Sequence, residues 1–419
     1  MQILKKSFLF SVIFIMFFNF LCAQGNIIVK PPKNIKSIVL KPNKENSYAP
    51  VIRLGETIRF SFDDIEGDEK MYSYKIEHCD YNWQKSGLIS SEYLSGFSND
   101  RIRDYENSFN TLQPYTHYEV RIPNNTMRII KTGNYLISVM DEEDNLIFTR
   151  KFIVYQNMVD VGVSVHRSRD VSYINEKHDV QFVINHSNII IRDPYNDVKV
   201  VVYQNMDWNS AIKNIKPKYV RNGQLLYNYV NEISFWAGNE YLYFDTKEIR
   251  NATNNIQRTR LDEIFNTYLY YDEEQYNKAY SFNQDVNGGF VLRTIDSEDV
   301  SLEGDYSKVH FSLESFKEIG DKNIYVYGAF NDWELSEENK MDYNPRTKLY
   351  EATLLLKQGF YNYTYVTANA EENIDITDIV GSYYQTENEY TVIVYYKSFG
   401  DRYFQVAGVG SGNSERLGN

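Results

Sequence analysis

Apolar and polar residues alternate in short runs along most of the chain, and each run ends in residues that favour turns. Residues 57–62 and 71–78 show the two-residue period that is typical of half-buried strands. The acidic residues 63–68 lie between them, so this stretch is predicted to form a hairpin. Further runs of the same kind lie at residues 115–122, 133–140 and 146–155.

The alternation continues through two further units of the chain. The second unit holds strand-like runs at residues 159–166, 180–184, 198–204, 225–229, 241–246, 267–271 and 289–293. Within it, residues 258–264 favour a helix. The third unit holds strand-like runs at residues 309–313, 323–328, 349–356, 361–366 and 389–397. A glycine- and polar-rich stretch from residue 407 onward predicts a frayed tail.

These patterns predict an all-β protein built from tandem β-sandwich domains of the immunoglobulin or fibronectin type. The predicted divisions are a signal peptide at residues 1–24, an N-terminal sandwich at 25–155, a middle sandwich at 156–298, a C-terminal sandwich at 299–400 and a flexible tail at 401–419.

The beginning of the chain predicts export. Lys5 and Lys6 precede an apolar run at residues 7–21, and small and polar residues follow directly after Cys22. This order is typical of a cleavable secretory signal. An uncleaved anchor and a lipid on Cys22 are the alternatives, but the apolar run is short for a membrane span and Leu21 does not suit lipid attachment. We therefore expect no direct insertion into lipid.

The charge balance excludes two classes of partner. The chain has 44 basic and 57 acidic residues, a formal net charge of −13. Removal of the signal would take away Lys5 and Lys6, which leaves 42 basic against 57 acidic residues, or −15. A chain this acidic is not expected to bind nucleic acid or an anionic bilayer, whereas a basic protein surface would suit it.

The sequence offers no convincing set of catalytic residues, metal ligands or cofactor contacts. The six histidines are scattered, and after cleavage Cys79 is the one remaining cysteine, which we expect to be a buried apolar side chain. The acidic turns at residues 63–68 and 141–144 could be imagined as calcium loops. A hydrolase with paired carboxylates also stays open, because folding can join acids that no spacing selects.

The third unit carries one pointed motif. Residues 326–333 (Val-Tyr-Gly-Ala-Phe-Asn-Asp-Trp) and 358–366 resemble the glycogen-binding, early-set immunoglobulin-like module. That resemblance implies a flat aromatic pair that stacks on sugar rings, for which Trp333 and Tyr361 are the candidates. The other interpretation is that both rings pack the sandwich. The usual second exposed tryptophan has no counterpart, so carbohydrate binding is kept as the alternative function and not as the expected one.

The chain as a whole resembles the type IX secretion system plug protein family, from about residue 35 to 405. The matching segments are residues 52–56, 94–97, 103–112, 114–118, 138–152, 196–202, 238–240, 243–245, 328–333, 350–359 and 381–390. The resemblance implies a non-catalytic periplasmic protein that binds the large outer-membrane β-barrel translocon and closes its periplasmic opening. It supplies no catalytic residues and no known binding motif.

The segment at residues 95–105 is our candidate for the partner-binding surface. Phe97, Arg101, Arg103 and Tyr105 would be the anchors, because tyrosine, phenylalanine and arginine are enriched where proteins meet. The other interpretation is that Phe97 and Tyr105 cover the margin of the core while the charges stay solvated.

Overall fold

The computed structural model describes residues 28–44, 48–415 and 417, and nearly all of the regular structure there is β-strand. The all-β, sandwich-based prediction is therefore confirmed. The predicted signal peptide lies outside the described residues. Within the described part, no helix has the length and apolar character that crossing a membrane requires. The short helices are α1 (Ser90–Tyr93), α2 (Pro194–Asp197) and α3 (Val300–Glu303), with 3₁₀ turns at Trp208–Ser210 and Ala329–Asn331.

The N-terminal domain is a sandwich of two main sheets. Its strands are β1 (Ile35–Pro42), β2 (Val51–Arg53), β3 (Ile58–Asp64), β4 (Ser73–Cys79), β5 (Leu94–Gly96), β6 (Asn99–Arg101), β7 (Asp104–Asn107), β8 (Thr116–Ile122), β9 (Met127–Ile129), β10 (Gly133–Met140) and β11 (Leu146–Tyr155). One sheet has the order β1-β3-β8-β7 and the other β2-β11-β10-β4-β6, while β5 pairs with β9. The inward residues of both sheets, among them Phe62, Tyr118 and Phe148, form one core.

The predicted hairpin between residues 57–62 and 71–78 is wrong. These runs become β3 and β4, which lie in different sheets: β3 pairs with β1 and β8, and β4 pairs with β10 and β6. The physical reason is that alternation identifies a half-buried strand but says nothing about its pairing partner.

The middle domain is assembled from two distant parts of the chain. Its first part supplies β12 (Asp160–Arg167), β13 (Lys177–Asn185), β14 (Val198–Gln204), β15 (Ile212–Lys213), β16 (Tyr219–Arg221), β17 (Gln224–Tyr227) and β18 (Ser234–Trp236). Its second part follows the strands β19 to β29 in the chain and supplies β30 (Glu389–Tyr396) and β31 (Gln405–Asn413). One sheet has the order β12-β13-β17-β16, with β18 beside β13, and the other β15-β14-β30-β31.

The intervening residues 237–388 form a third sandwich, which we call the inserted domain. Its strands are β19 (Leu242–Asp245), β20 (Ile256–Leu261), β21 (Phe265–Leu269), β22 (Asp272–Glu273), β23 (Phe290–Leu292), β24 (Tyr306–Glu314), β25 (Asn323–Tyr327), β26 (Asp342–Asn344), β27 (Leu349–Lys357), β28 (Gly359–Ala368) and β29 (Ile374–Asp375). One sheet is centred on β28, which pairs with β19, β23, β25 and β29, and the other has the order β20-β21-β24-β27-β26.

This topology corrects three boundary predictions. The middle domain does not end at residue 298, because β19 to β22 already belong to the inserted domain. The C-terminal unit does not reach residue 400, and residues 401–419 are not a flexible tail throughout, because β30 and β31 complete the middle domain. The helix predicted at residues 258–264 is wrong as well, since β20 occupies Ile256–Leu261 and pairs with β21.

A buried ion pair joins the N-terminal and inserted domains. Lys357 Nζ lies 2.7 Å from Asp63 Oδ2, and both side chains are almost fully buried. Tyr306 donates its hydroxyl to the same carboxylate oxygen at 2.7 Å, and His117 Nδ1 lies 2.6 Å from Asp63 Oδ1. Because every oxygen of the carboxylate is partnered, the two domains are held in one relative position at this joint.

A second joint brings all three domains together at the 3₁₀ turn of the inserted domain. Asp332 accepts a hydrogen bond from Trp208 Nε1 of the middle domain at 3.3 Å, and its other oxygen lies 3.4 Å from Arg150 Nε of the N-terminal domain. Asn209 Nδ2 donates to the backbone oxygen of Trp333 at 2.7 Å. The motif that resembled a sugar-binding turn therefore holds domains together here.

Candidate functional site

Residues 94–107, which we call the edge segment, form the open edge of the N-terminal sandwich. In this segment β6 is the last strand of one sheet and β7 the last strand of the other. Edge strands leave one row of backbone N–H and C=O groups without strand partners, which makes them natural places for another chain to pair. The segment predicted as a loop is therefore three short strands, β5, β6 and β7.

Phe97 is presented to solvent by a tightly held turn. The side chain is 66% exposed, and its backbone N–H donates to the carbonyl oxygen of Thr126 at 3.0 Å. Gly96 precedes it with φ +103°, and a Cβ at this position would stand 2.0 Å from the Thr126 oxygen. A residue other than glycine would push the two strands apart, so the position of Phe97 depends on Gly96.

Replacing Gly96 by alanine is expected to lower the free energy of unfolding by about 2–3 kcal/mol, since it combines a left-handed backbone with a backbone clash. Gly87, in the same domain, has φ +74° but open space around it. Gly87→Ala should therefore cost only about 1 kcal/mol, from the backbone conformation alone. Urea unfolding of both variants measures the difference, and equal losses would contradict the close approach to Thr126.

The arginines of the edge segment differ in how firmly they are held. Arg103 donates to both oxygens of Asp100, at 2.9 and 2.7 Å, and the hydrogen bond from Arg103 lowers the pKa of the Asp100 carboxyl. Thr126 donates to Asp100 as well, at 2.6 Å. Arg101 is exposed and its guanidinium lies 3.9 Å from Met71 Sδ. Arg103 is thus a preorganised cation, while Arg101 rests on an apolar side chain.

Tyr105 combines the two interpretations that the sequence left open. Its ring lies 5.5 Å from the buried ring of Tyr118, yet 37% of the residue is exposed. It therefore covers the margin of the core and still offers surface to a partner. Between the arginines, Ile102 is buried and donates its N–H to Tyr72 at 2.8 Å, which fastens the segment to the sandwich.

Two exposed apolar residues beside the edge segment were missed by the sequence analysis. Met71 is 49% exposed next to Arg101, and Phe109 is 70% exposed just beyond β7. The backbone N–H of Phe109 donates to the backbone oxygen of Leu302 in the inserted domain at 2.9 Å. The exposed apolar residues beside the edge segment therefore extend to the contact between the N-terminal and inserted domains. An isolated phenylalanine within the polar stretch Ser108-Phe109-Asn110 was the available signal.

The proposed sugar-stacking pair is wrong, because neither ring reaches the surface. Trp333 is 4% exposed and packs against Tyr327 and Tyr241, with ring centroids 5.3 and 6.2 Å away. Tyr361 is 2% exposed, stacks on Phe244 at 5.1 Å and donates its hydroxyl to a backbone oxygen at 2.6 Å. Both residues pack the inserted domain, which was the other interpretation.

The acidic turn at residues 63–68 contains its own counter-ion. The carboxylates of Asp64, Glu66 and Asp68 converge, and the Lys70 ammonium contacts all three, at 2.9 Å from Asp64 Oδ2 and 3.5 Å from Asp68 Oδ1. In the turn at residues 141–144, Asp141 accepts hydrogen bonds from its own backbone neighbours. These contacts favour solvated turns over calcium loops.

Among the described residues, the structure brings acids together that no spacing in the sequence selected, and Glu240 and Asp285 are one such pair. Glu240 and Asp285 face one another, and Glu387 lies beside them. Glu240 is only 7% exposed, and its Oε1 is held by the Tyr280 hydroxyl. Both oxygens of Asp285 accept backbone N–H groups, from Tyr241 at 2.6 Å and from Asn287 at 2.8 Å, so the hydrogen bonds favour a structural role for the pair.

Comparison with known proteins places the N-terminal domain. The model of the type 9 secretion system plug protein 1st domain matches residues 35–156. No model matches the inserted domain, so its early-set character stays a prediction. No curated protein matches the chain.

Solved structures extend the likeness to nearly the whole chain. A hypothetical protein from Parabacteroides merdae ATCC 43184 is 33% identical, with a TM-score of 0.88 over 92% of this chain and 100% of that chain. The DNA glycosylase AlkC of Pseudomonas fluorescens bound to abasic-site DNA (14% identity, 29% and 30% coverage) and trypsin-activated α2-macroglobulin of Escherichia coli (10% identity, 86% and 24% coverage) both have TM-scores of 0.17. Neither of those two bears on fold or function. The chain belongs to one family with the Parabacteroides merdae protein, and its residues 35–156 match the model of the first domain of type 9 secretion system plug proteins.

Proposed function

We propose that this protein is a non-catalytic plug of the type IX secretion system. It is exported by its signal peptide to the periplasm, binds the outer-membrane β-barrel translocon and closes the periplasmic opening of the barrel. The observation that carries this proposal is the match of residues 35–156 to the plug protein first domain. The likeness to the Parabacteroides merdae protein adds that the remaining domains are shared within the family.

The joints between the domains support an occluding role. A body that closes a pore must resist deformation, and here the Asp63–Lys357 pair fixes the inserted domain to the N-terminal domain. The middle domain is fixed to the N-terminal domain by an apolar cluster that includes Leu136, Ile153 and Val201. Buried contacts of this kind favour one rigid unit over domains that move independently.

The edge segment supports the choice of binding surface. It combines the exposed Phe97 side chain with the Arg103 guanidinium, which Asp100 holds in position. It also presents the outer edges of β6 and β7, which pair with no further strand among the described residues. Aromatic and arginine anchors with low rotational freedom are the usual centres of binding energy. The unpaired edge would let a partner strand extend the sheet.

Affinity purification from a solubilised envelope tests the proposal. The tagged protein is expected to recover the giant barrel, and the Phe97→Ala, Tyr105→Ala double variant should recover about tenfold less, as the loss of one central anchor commonly causes. Phe97 is 66% exposed and Tyr105, at the margin of the core, 37%, so the far-ultraviolet circular dichroism spectrum should stay that of the folded parent.

Phe399→Ala is the matched control for that experiment. Phe399 is 86% exposed on the connection between β30 and β31, in a different domain from the edge segment. Its loss should leave recovery of the barrel unchanged. Recovery of soluble polysaccharide enzymes in place of the barrel would overturn the proposed function. Equal recovery by all three proteins would remove the edge segment as the binding surface.

A further inference from the structure

A cavity of about 290 Å³ lies between the N-terminal and inserted domains. Residues of the stretch 30–38, together with Arg150, line one side of it, and side chains of the inserted domain line the other. Small-molecule sites commonly have volumes of about 300–1,000 Å³ and often lie where two domains meet. The cavity therefore has room for one amino-acid side chain or for a small molecule of similar size.

The inserted domain gives the cavity an aromatic wall. Phe290 and Phe330 are half-buried and both line the cavity. Each ring packs against Tyr361, with centroids 5.7 and 5.9 Å away. Tyr361 is held in turn, because its hydroxyl donates to the backbone oxygen of Lys357 at 2.6 Å. The wall thus offers apolar surface and electron-rich ring faces in fixed positions.

One carboxylate of the cavity lacks a hydrogen-bond donor. Glu334 follows the 3₁₀ turn that carries Phe330, and its backbone N–H donates to the Asn331 oxygen at 3.1 Å. Among the described residues, no N–H or O–H group donates to its carboxylate. Arg150 Nη1 lies 3.8 Å from Glu334 Oε1, which is beyond hydrogen-bond distance. Since only 19% of the Glu334 side chain is exposed, water compensates for little of this deficit.

The basic side chains around the cavity do not supply the missing donor. Lys36 pairs with a glutamate of the inserted domain at 2.8 Å, and Lys30 donates to a backbone oxygen at 2.7 Å. Arg150 Nε lies 3.4 Å from another carboxylate of the same joint. The other two charges at the rim, Lys33 and Glu337, are exposed and opposite in sign. The polar group left for a ligand is therefore the carboxylate without a donor.

We propose that this cavity binds a guanidinium group on an apolar stem, with the cation against Glu334 and the stem along Phe290 and Phe330. A planar guanidinium can donate two parallel hydrogen bonds to a carboxylate and can also stack on aromatic rings. Neither a neutral apolar ligand nor an anion would give Glu334 a donor of this strength. This inference does not depend on the proposed plug function.

Two sources carry this chemistry: a small free guanidine and an arginine side chain of a partner protein. The acidic balance of the chain favours the second, because it suits a basic protein surface. The site would then receive one arginine of the partner between two domains, and the occupant would contact both.

Titration of the full-length protein with n-butylguanidine tests the site. Saturation-transfer NMR is expected to give a dissociation constant of about 1 mM, as a fragment of this size commonly does. The uncharged n-pentanol and the anionic n-pentanoate should bind at least about tenfold more weakly, because neither supplies a charged donor. A parent protein that does not bind n-butylguanidine, or that binds n-pentanoate as well, would overturn the proposal.

A blocked peptide, acetyl-Gly-Arg-Gly-amide, distinguishes the two sources. Binding at least as tight as that of n-butylguanidine would assign the cavity to an arginine of a protein. Binding of the free guanidine alone would assign it to a small molecule. Either result supports the guanidinium site, and binding of neither probe overturns it.

Glu334→Gln is the informative variant, since glutamine has a similar shape but no charge. It is expected to weaken n-butylguanidine binding at least about tenfold and to leave n-pentanol binding unchanged. Phe290→Leu should weaken the guanidine by about threefold, the size of an exposed cation–π contact. Glu337→Gln is the matched control at the solvent-exposed rim and should change the affinity less than about twofold. Equal losses for the two glutamate variants would contradict the assignment of the cation to Glu334.

A proton held by Glu334 is the competing explanation for its missing donor. Burial raises the pKa of this carboxyl to about 7; Arg150 acts to lower it, Asp332 to raise it, and Lys30 and Lys151 to lower it. A guanidinium binds the ionised carboxylate, so affinity should rise about tenfold from pH 6 to pH 8 in the parent and stay constant in Glu334→Gln. Affinity for n-butylguanidine that is the same at both pH values in the parent would remove Glu334 as the anion of the site.

Discussion

Replacing Lys357 by methionine is expected to lower the free energy of unfolding by about 3–5 kcal/mol, the usual result of leaving one buried charge without its partner. Lys357 is fully buried, 2.7 Å from Asp63, and its ammonium also donates to the Ser301 oxygen at 2.8 Å. It lies over the Tyr115 ring at 3.9 Å from the centroid. Methionine keeps the approximate shape of the side chain, so the loss would come from an Asp63 carboxylate that keeps Tyr306 and His117 but has lost the Lys357 ammonium. Urea unfolding measures it.

Lys322→Met is the control for this change. Lys322 also pairs with an aspartate, Asp378, at 2.6 Å, but its side chain is 31% exposed. Water screens such a pair, so its loss should cost at most about 1 kcal/mol. The double variant Asp63→Asn, Lys357→Met should lose less than Lys357→Met alone, because no charge is then left buried. If Lys357→Met and Lys322→Met lowered the free energy of unfolding equally, the Asp63–Lys357 pair would not be a buried joint between the domains.

The pH dependence of the pair has a definite sign. Burial acts to raise the pKa of Asp63, but the charge of Lys357 and the hydrogen bond from His117 outweigh it and lower the pKa below the usual value. The stability that Asp63 contributes is therefore present above the unfolded pKa of about 4 and is lost as the pH falls through the lower folded value. In Lys357→Met the unpaired Asp63 is relieved by a proton, so the gap from the parent protein should narrow below about pH 4.

Trp333→Ala is expected to cost about 3–5 kcal/mol, as truncation of a buried tryptophan commonly does. The ring fills the space over Gly288, where an added Cβ would stand 2.3 Å from Trp333 Cη2. Its backbone has φ +60°, a conformation that alanine also disfavours. Since Asn209 of the middle domain donates to the Trp333 oxygen, collapse of this turn should also loosen the contact between domains. Thermal unfolding measures the first effect and limited proteolysis the second.

Trp236→Ala provides the comparison for that loss. Trp236 lies at the surface, 36% exposed, with Lys177 at 4.2 Å from its ring centroid. Its replacement should cost at most about 1 kcal/mol, the size of an exposed cation–π contact. If Trp236→Ala lowered stability as much as Trp333→Ala does, the effect of Trp333→Ala could not be assigned to the contact between domains. Unchanged proteolysis of Trp333→Ala would contradict the joining role of the turn.

The sequence predicted the position of a strand well where an apolar-rich run lies next to a clear turn. β10 and β11 occupy the predicted residues 133–140 and 146–155, two runs rich in apolar residues that flank a turn in which Asp141 accepts hydrogen bonds from the backbone. The sequence could not predict pairing at a distance. Residues 389–397 follow the inserted domain along the chain, yet β30 pairs with β14 in the register Val198 to Tyr396. Nothing in either strand's own residues specifies that partner.

The candidate sites divide in the same way. Mixed aromatic and charged residues selected the segment of Phe97 and Arg103, a local property, but left open whether Phe97 covers the core margin; the structure exposes it. The burial of Trp333 depends on Tyr241 and Gly288, which approach only when the inserted domain has closed. The cluster of Glu240, Asp285 and Glu387 has no spacing of its own, because three separate segments supply it. Convergence of that kind is decided by tertiary packing.

The split middle domain has a consequence for the order in which the protein folds. The strands of the N-terminal domain, β1 to β11, are consecutive in the chain, so this domain can fold as soon as β11 has been synthesised. β14, in contrast, pairs with β15 on one side and with β30 on the other. The whole inserted domain is synthesised after β14 and before β30. During synthesis the middle domain would therefore keep an open, apolar strand edge until β30 has been made. During that interval the unpaired edge of β14 can pair with strands of other chains, so this is when the chain is most prone to aggregate.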